Sequence, residues 1–254
     1  MSDIAKRKAR VIWYKEKIGF FVVPLLERAT GKSISQCRIL SVGTGGGEDI
    51  EIFRSFGIDA LGIDLYKQNT VFWSGKGLQC LVADGRYLPF RSSLFDCVIA
   101  IEVIEHVGQE KKGIGKIIER TKFAKECLRV SSEDGVIFLS TPNKNFPLDL
   151  AHSRMSKAIT GGIRVGGLRL HQPWESFTLS LKELKEMFNK KAGDTQIFLI
   201  SPLGYINWNF ESYTKSHTVK YVFFPIAKLW LKMLDSLSSL RVSPLNPHLI
   251  VIVN

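Results

Sequence analysis

A chain of 254 residues, 45% of them apolar, is long enough for one α/β domain with a full core plus appendages. It contains no uninterrupted apolar run able to span a bilayer, which argues against a membrane-embedded bundle. The formal charge of +11 is high for a small-molecule enzyme and favours an anionic partner: nucleic acid, an acidic lipid surface or an anionic substrate.

Residues 1–35 read as an N-terminal helical arm, in which Lys6, Arg7, Lys8 and Arg10 precede Val11, Ile12, Trp13 and Tyr14 like the start of a basic amphipathic helix. Short apolar runs closed by turn residues then predict strands at about 37–42, 58–63, 78–83, 95–101 and 135–140. Helices at 47–56, 66–74 and 114–130 lie between them, so the alternation implies βαβ units and a parallel sheet. Residues 36–254 form a single domain on this reading. A glycine-rich loop at about 142–178, with Gly161, Gly162, Gly166 and Gly167, has the character of a lid, and Phe146, Trp174 and Phe177 are equally suited to an acceptor pocket or to lid core. A helix at 181–191 and strands at 196–201 and 249–253 follow, which leaves about 202–247 as an insertion. Within it, residues 215–232 interleave lysines with Tyr221, Phe223, Phe224, Leu229 and Trp230. That pattern suits either a membrane interface or an apolar side packed on the domain with solvated lysines. The four cysteines show no paired spacing and read as small buried hydrophobes in a reducing compartment. With no apolar leader segment recognisable, the expected location is the cytoplasm.

The segment Ile39-Leu40-Ser41-Val42-Gly43-Thr44-Gly45-Gly46-Gly47-Glu48-Asp49 carries the most chemistry. It reads as a buried strand, a glycine turn and the first turn of a helix, whose free N–H groups face a ligand lying on the turn. A dinucleotide pattern needs a third glycine at position 48, where this chain has Glu48. A carboxylate there repels a phosphate, so the ligand is not anionic at that point and a nicotinamide cofactor is the second choice. Asp64 ends the next strand about twenty positions on, the spacing for hydrogen bonds to ribose hydroxyls; capping the turn into Leu65 and Tyr66 is the alternative.

These blocks, with Ala83-Asp84-Gly85-Arg86-Tyr87-Leu88-Pro89-Phe90 and Phe95-Asp96-Cys97-Val98-Ile99-Ala100 running into Glu102-Val103-Ile104-Glu105-His106, resemble the class I S-adenosylmethionine-dependent methyltransferases. The resemblance is to the group that includes the ubiquinone-pathway enzymes, and it spans about residues 36–145. It implies a Rossmann-like, seven-stranded, mostly parallel sheet with the last strand antiparallel and helices on both faces. It also implies S-adenosylmethionine as cofactor, held by Ser41, Gly43, Thr44, Gly45, Gly47, Asp64, Leu65, Asp84, Gly85 and Glu102. Asp84 matches the acid that contacts adenine, and Gly85 permits a close approach. The family usually carries an acid where this chain has Ser41.

Glu102, Glu105 and His106 share one face if the segment after the fourth strand is helical. Two carboxylates and an imidazole there suit a divalent cation such as Mg²⁺, which lowers the pKa of a hydroxyl acceptor. The pattern resembles the metal-binding segment of the ubiquinone-pathway O-methyltransferase and of small-RNA terminal 2′-O-methyltransferases. The RNA enzymes add a downstream histidine, for which His171 or His152 stands in a comparable place. Without metal, His106 is the general base, with Glu105 beside it. The expected activity is methyl transfer to oxygen on a small-molecule, lipid-linked or saccharide acceptor, with peripheral membrane contact through the basic aromatic segments. RNA 2′-O-methylation, and a cofactor-binding partner subunit without activity, are the alternatives.

Overall fold

The computed structural model describes residues 14–149, 163–165, 168–170, 177–189, 196–205, 221 and 224–254. A seven-stranded sheet forms its centre: β1 (Ile39–Val42), β2 (Ala60–Asp64), β3 (Cys80–Val82), β4 (Phe95–Ile101), β5 (Ser131–Pro142), β6 (Ile197–Leu199) and β7 (His248–Val253). Their order is β3-β2-β1-β4-β5-β7-β6. β1 pairs in parallel with β2 and β4, whereas β7 runs antiparallel to both β5 and β6. The strand order reverses between β1 and β4, so the carboxyl ends of these two strands open the crevice where ligands bind in such sheets.

Period-two alternation divides the core into two layers. Leu40, Val98, Ala100, Ile137, Leu139, Leu249 and Val251 pack on one face with Phe123 and Phe188. On the other, Ile39, Cys97, Ile99, Phe138 and Ile250 meet Phe53. Helices α2 (Glu48–Ser55), α3 (Thr70–Ser74) and α4 (Ile114–Val130) connect the strands, and α5 (Leu181–Phe188) follows the loop after β5. Ser180 and Glu183 close a capping box at the start of α5, a signal present in the local sequence.

The described part of the N-terminal arm is integral to this core. A π turn (Ile18–Val22) leads into α1 (Val23–Thr30), and Ile18, Val22 and Leu26 are fully buried in the second layer. Of the glycine-rich loop, the described parts include a small antiparallel sheet formed by Leu148–Asp149, Ile163–Val165 and Leu168–Leu170. The four loop glycines, His152, His171 and Trp174 lie outside the described residues, as does the basic run at 6–10. In the 202–247 segment, α6 (Phe224–Ser236) and α7 (Ser238–Arg241) precede β7. All four thiols are free, and Cys37, Cys97 and Cys127 are buried. Among the described residues no helix is long and apolar enough to cross a membrane.

Candidate cofactor and acceptor site

The glycine turn leaves β1 with Gly43, Gly45 and Gly47 all in the left-handed region. At Gly43 (φ +81°) a Cβ would lie 2.4 Å from Val103, so glycine serves both conformation and space. The turn is fastened from behind. Asp49, buried in the first turn of α2, accepts hydrogen bonds from the hydroxyls of Ser41 and Thr44. Burial raises the Asp49 pKa, while those two hydroxyls favour its ionised form. The carboxylate missing at position 41 is thus supplied from the following helix. Trp73 adds an indole hydrogen bond to the carbonyl of Gly45 at 2.9 Å.

A cleft of about 470 Å³ opens beside this turn. Gly43, Asp64, Leu65, Asp84, Gly85, Glu102 and His106 line it, whereas Ser41, Thr44, Gly45, Gly47 and Glu105 do not. Ser41 and Thr44 direct their hydroxyls into the protein toward Asp49, because β1 alternation and the turn carry them to the inner side. Asp64 performs the capping role in full. Its carboxylate accepts from Tyr66 N at 2.9 Å, Asn69 Nδ2 at 3.1 Å and Gly45 N at 2.8 Å. Oδ2 takes one of these bonds, which leaves it acceptor capacity toward the cleft. Capping and ribose binding are therefore compatible.

Asp84 is held by Arg86, whose Nε and Nη2 approach both carboxylate oxygens at 2.7–3.0 Å. Burial opposes ionisation of Asp84, but the hydrogen bonds and charge of Arg86 outweigh it and keep the carboxyl below its usual range. Arg86 Nη1 also reaches Glu110 at 2.7 Å and Glu119 at 2.6 Å. An adenine amino group at Asp84 has to share an oxygen with this guanidinium. Gly85 has a structural reason as well: a Cβ there would meet Phe123 at 2.8 Å and Val42 at 3.0 Å.

The expected shared face of Glu102, Glu105 and His106 does not form. Glu102 has φ +56°, which ends β4 abruptly, and only a single 3₁₀ turn (Ile104–His106) follows. Glu102 and His106 nevertheless both line the cleft, while Glu105 is buried in the protein. Glu102 Oε1 lies 2.7 Å from His248 Nε2 at the start of β7. Glu105 is fully buried, does not line the cleft and accepts from Thr141 Oγ1 at 3.0 Å. His106 faces the cleft, with its Nδ1 2.7 Å from Gln109 Nε2 and its ring edge-on to Phe177. Among the described residues no three His, Cys, Asp or Glu side chains gather as a metal-ligand set. His171, the fourth expected ligand, lies outside the described residues.

Beyond Glu102 the chain assembles a group with no sequence motif. Tyr205 stacks on His248 with centroids 5.3 Å apart, and its hydroxyl bonds the Ser140 hydroxyl. Lys17 Nζ, carried in by the N-terminal helix, sits 3.8 Å from the Tyr205 ring centre. Burial lowers the Lys17 pKa to about 7 against the opposing charge of Glu102. Asp49 alone offered a signal in sequence, as an acid among the apolar positions of α2. Lys17, Tyr205 and His248 meet only through long-range packing.

The sheet order, with β7 antiparallel at the end, and the glycine turn at a switch point are those of the class I methyltransferase fold. The methyltransferase-domain family matches residues 40–139. Over that stretch the chain is similar to the class I S-adenosylmethionine-dependent methyltransferases. It is 29% identical over 196 residues to the mitochondrial ubiquinone biosynthesis O-methyltransferase of Bos taurus, covering 70% of this chain and 48% of the relative. Identity is 31% over 117 residues to norajmaline N-methyltransferase of Rauvolfia serpentina, covering 42% of this chain and 37% of that one. The ubiquinone biosynthesis O-methyltransferase of Pelagibacter ubique is 26% identical over 141 residues, 53% of each chain. The chain therefore spans about half or less of these relatives' length. Among solved structures, the plantazolicin methyltransferase BpumL with SAH superposes with a TM-score of 0.53 at 13% identity, over 99% of this chain and 90% of that one. An Archaeoglobus fulgidus SAM-dependent methyltransferase gives 0.50 at 18%, over 91% and 92%. At these identities the superpositions speak for the fold.

Proposed function

We propose that the protein transfers a methyl group from S-adenosylmethionine to an oxygen of a small-molecule, lipid-linked or saccharide acceptor. The observation that carries this reading is the cleft that places Gly43, Asp64, Asp84 and Glu102 around one space at the switch point of the sheet. An uncharged, close-approach floor at Gly43 and carboxylates at Asp64 and Glu102 suit a ribose and an ammonium group rather than a pyrophosphate. Asp64 would hold the ribose hydroxyls, and Glu102 lies at the end of the cleft fit for the amino-acid end of the cofactor. The cofactor supplies a methyl group already activated on a sulfonium. The chain then contributes alignment, which lowers the barrier by several kcal/mol on the order of well-oriented intramolecular reactions.

His106 is the base in this reading. With Gln109 donating to Nδ1, the ring proton resides on Nε2; turning the amide over lets its oxygen accept from Nδ1–H and frees Nε2 to take the acceptor's proton. When an acceptor hydroxyl is methylated, His106 Nε2 would receive its proton. Phe177, edge-on to His106, contributes an apolar wall beside it. The O-methyltransferase names of two relatives support oxygen as the acceptor atom, and the N-methyltransferase name of the third keeps nitrogen as an outcome of the test.

The test follows label from methyl-labelled S-adenosylmethionine into host extract separated into lipid, aqueous small-molecule and RNA fractions. Label in an O-methyl product of the lipid or small-molecule fraction supports the reading. Label confined to RNA, to nitrogen or to no fraction overturns it. A parallel series after metal stripping with EDTA reports whether a cation takes part.

A further inference from the structure

Helix α6 has two apolar faces, and among the described residues only one of them is packed. Leu231 and Leu234 are buried against the domain, and Trp230 stacks on Phe146 with centroids 5.2 Å apart. Phe146 belongs to the loop leaving β5 at the carboxyl edge of the sheet, so α6 is anchored at the same edge as the cleft. Ile226, Leu229, Met233 and Leu237 follow the i, i+3, i+7, i+11 spacing of a single stripe and are between 46% and 62% exposed. Val242 and Leu245 extend this exposed apolar surface beyond α7. A run of this length in the open marks a contact surface rather than scattered surface residues.

We infer that this stripe docks the protein on an anionic lipid bilayer, with α6 lying in the interfacial plane. Charge selects this occupant. Lys228 and Lys232, one turn apart and exposed, border the stripe, and residues 215–241 hold five Lys or Arg against one acid, Asp235. Lysines beside an apolar stripe extend their ammonium groups to lipid phosphates while their stems lie on the apolar boundary. A second copy related by a two-fold axis brings the same lysines face to face, which opposes a dimer here. A nucleic-acid backbone takes the lysines but leaves the stripe in water. The 13-residue helix is about 20 Å long, too short to cross a bilayer and long enough to lie on one. The inference depends on the faces of α6 and not on the methyl-transfer reading.

Flotation of the full chain with vesicles of phosphatidylcholine alone, and of phosphatidylcholine mixed with phosphatidylglycerol, tests it. The chain floats with the mixed vesicles, and salt weakens the binding. Leu229→Asp with Met233→Asp lowers binding by about tenfold or more, since each removes a side chain from the apolar phase. Lys228→Glu and Lys232→Glu, both at exposed positions, each lower it by at least about five-fold. Unchanged melting curves establish that the variants fold. Absence from both vesicle types, equal binding to both, or full binding by the aspartate variant overturns the inference. So does a dimer in sedimentation that the aspartate variant dissociates, which would assign the stripe to a second copy.

Discussion

His248 Nε2 lies 2.7 Å from Glu102 Oε1, joining the first residue of β7 to the residue that ends β4. Glu102 holds a left-handed backbone conformation, a strain of about 1–3 kcal/mol that the surrounding structure has to sustain. The partner comes from the far end of the chain, so the Glu102 side of the cleft is complete only when β7 is seated. A double-mutant cycle of Glu102→Gln and His248→Asn should give a coupling of about 0.5–3 kcal/mol in urea denaturation, as expected for residues in contact. Additive effects would show that the pair is adjacent without interacting.

Asp64→Ala should weaken S-adenosylmethionine binding by about 1–3 kcal/mol through the lost hydrogen bonds. Calorimetric titration measures this, and thermal melting without cofactor separates the ribose contribution from the turn that Asp64 caps. Unchanged affinity with a lowered melting temperature would leave Asp64 a purely structural cap.

Gly43→Ala introduces a Cβ at φ +81° and 2.4 Å from Val103. The left-handed conformation costs roughly 1–2 kcal/mol and the overlap roughly 1–3 kcal/mol more. Adding Val103→Ala should recover the overlap part alone, so the double variant remains less stable than the parent in urea denaturation. Full recovery would assign the whole effect to crowding.

The pKa of Lys17 falls to about 7 through burial, in spite of the favourable charge of Glu102. Between about pH 7 and its ordinary value the unfolded chain binds a proton that the folded chain does not, so stability attributable to Lys17 rises with pH across that window. Lys17→Met should remove this slope, as measured by urea midpoints at intervals from neutral to alkaline pH. An equal slope in both proteins would place the ammonium in water.

Asp84 gives a slope of the same sign from a different cause, in a more acidic window. Its folded pKa is depressed, because Arg86 outweighs burial, so its contribution is present above the ordinary carboxylate pKa and lost as pH falls through the folded value. The destabilisation caused by Arg86→Met should therefore narrow on acidification from neutrality. A constant difference would mean that Arg86 acts by packing.

Much of this architecture was legible in the residues. The runs expected as strands at about 37–42, 58–63 and 95–101 form β1, β2 and β4, and the glycine turn after the first of them lies beside the cleft, because a sheet and a tight turn follow from local pattern. The family resemblance implied the antiparallel ending, which the pairing of β7 with β5 and β6 bears out. One expectation, the helical segment after the fourth strand, is not met after Ile101. The shared face of Glu102, Glu105 and His106 assumed helical dihedrals, and a single left-handed residue removed them.

The sequence alone determined the α/β class, the glycine turn and the spacing to Asp64, since those depend on neighbours within a few residues or on a repeating period. Tertiary structure decided which polar groups face the cleft. Asp49 receives the hydroxyls of Ser41 and Thr44, Arg86 occupies Asp84, Glu105 turns inward, and Lys17, Tyr205 and His248 converge on Glu102. Side-chain direction at a strand end depends on backbone angles set by packing. Contacts between residues 17, 102, 205 and 248 exist only after the sheet has brought distant segments together.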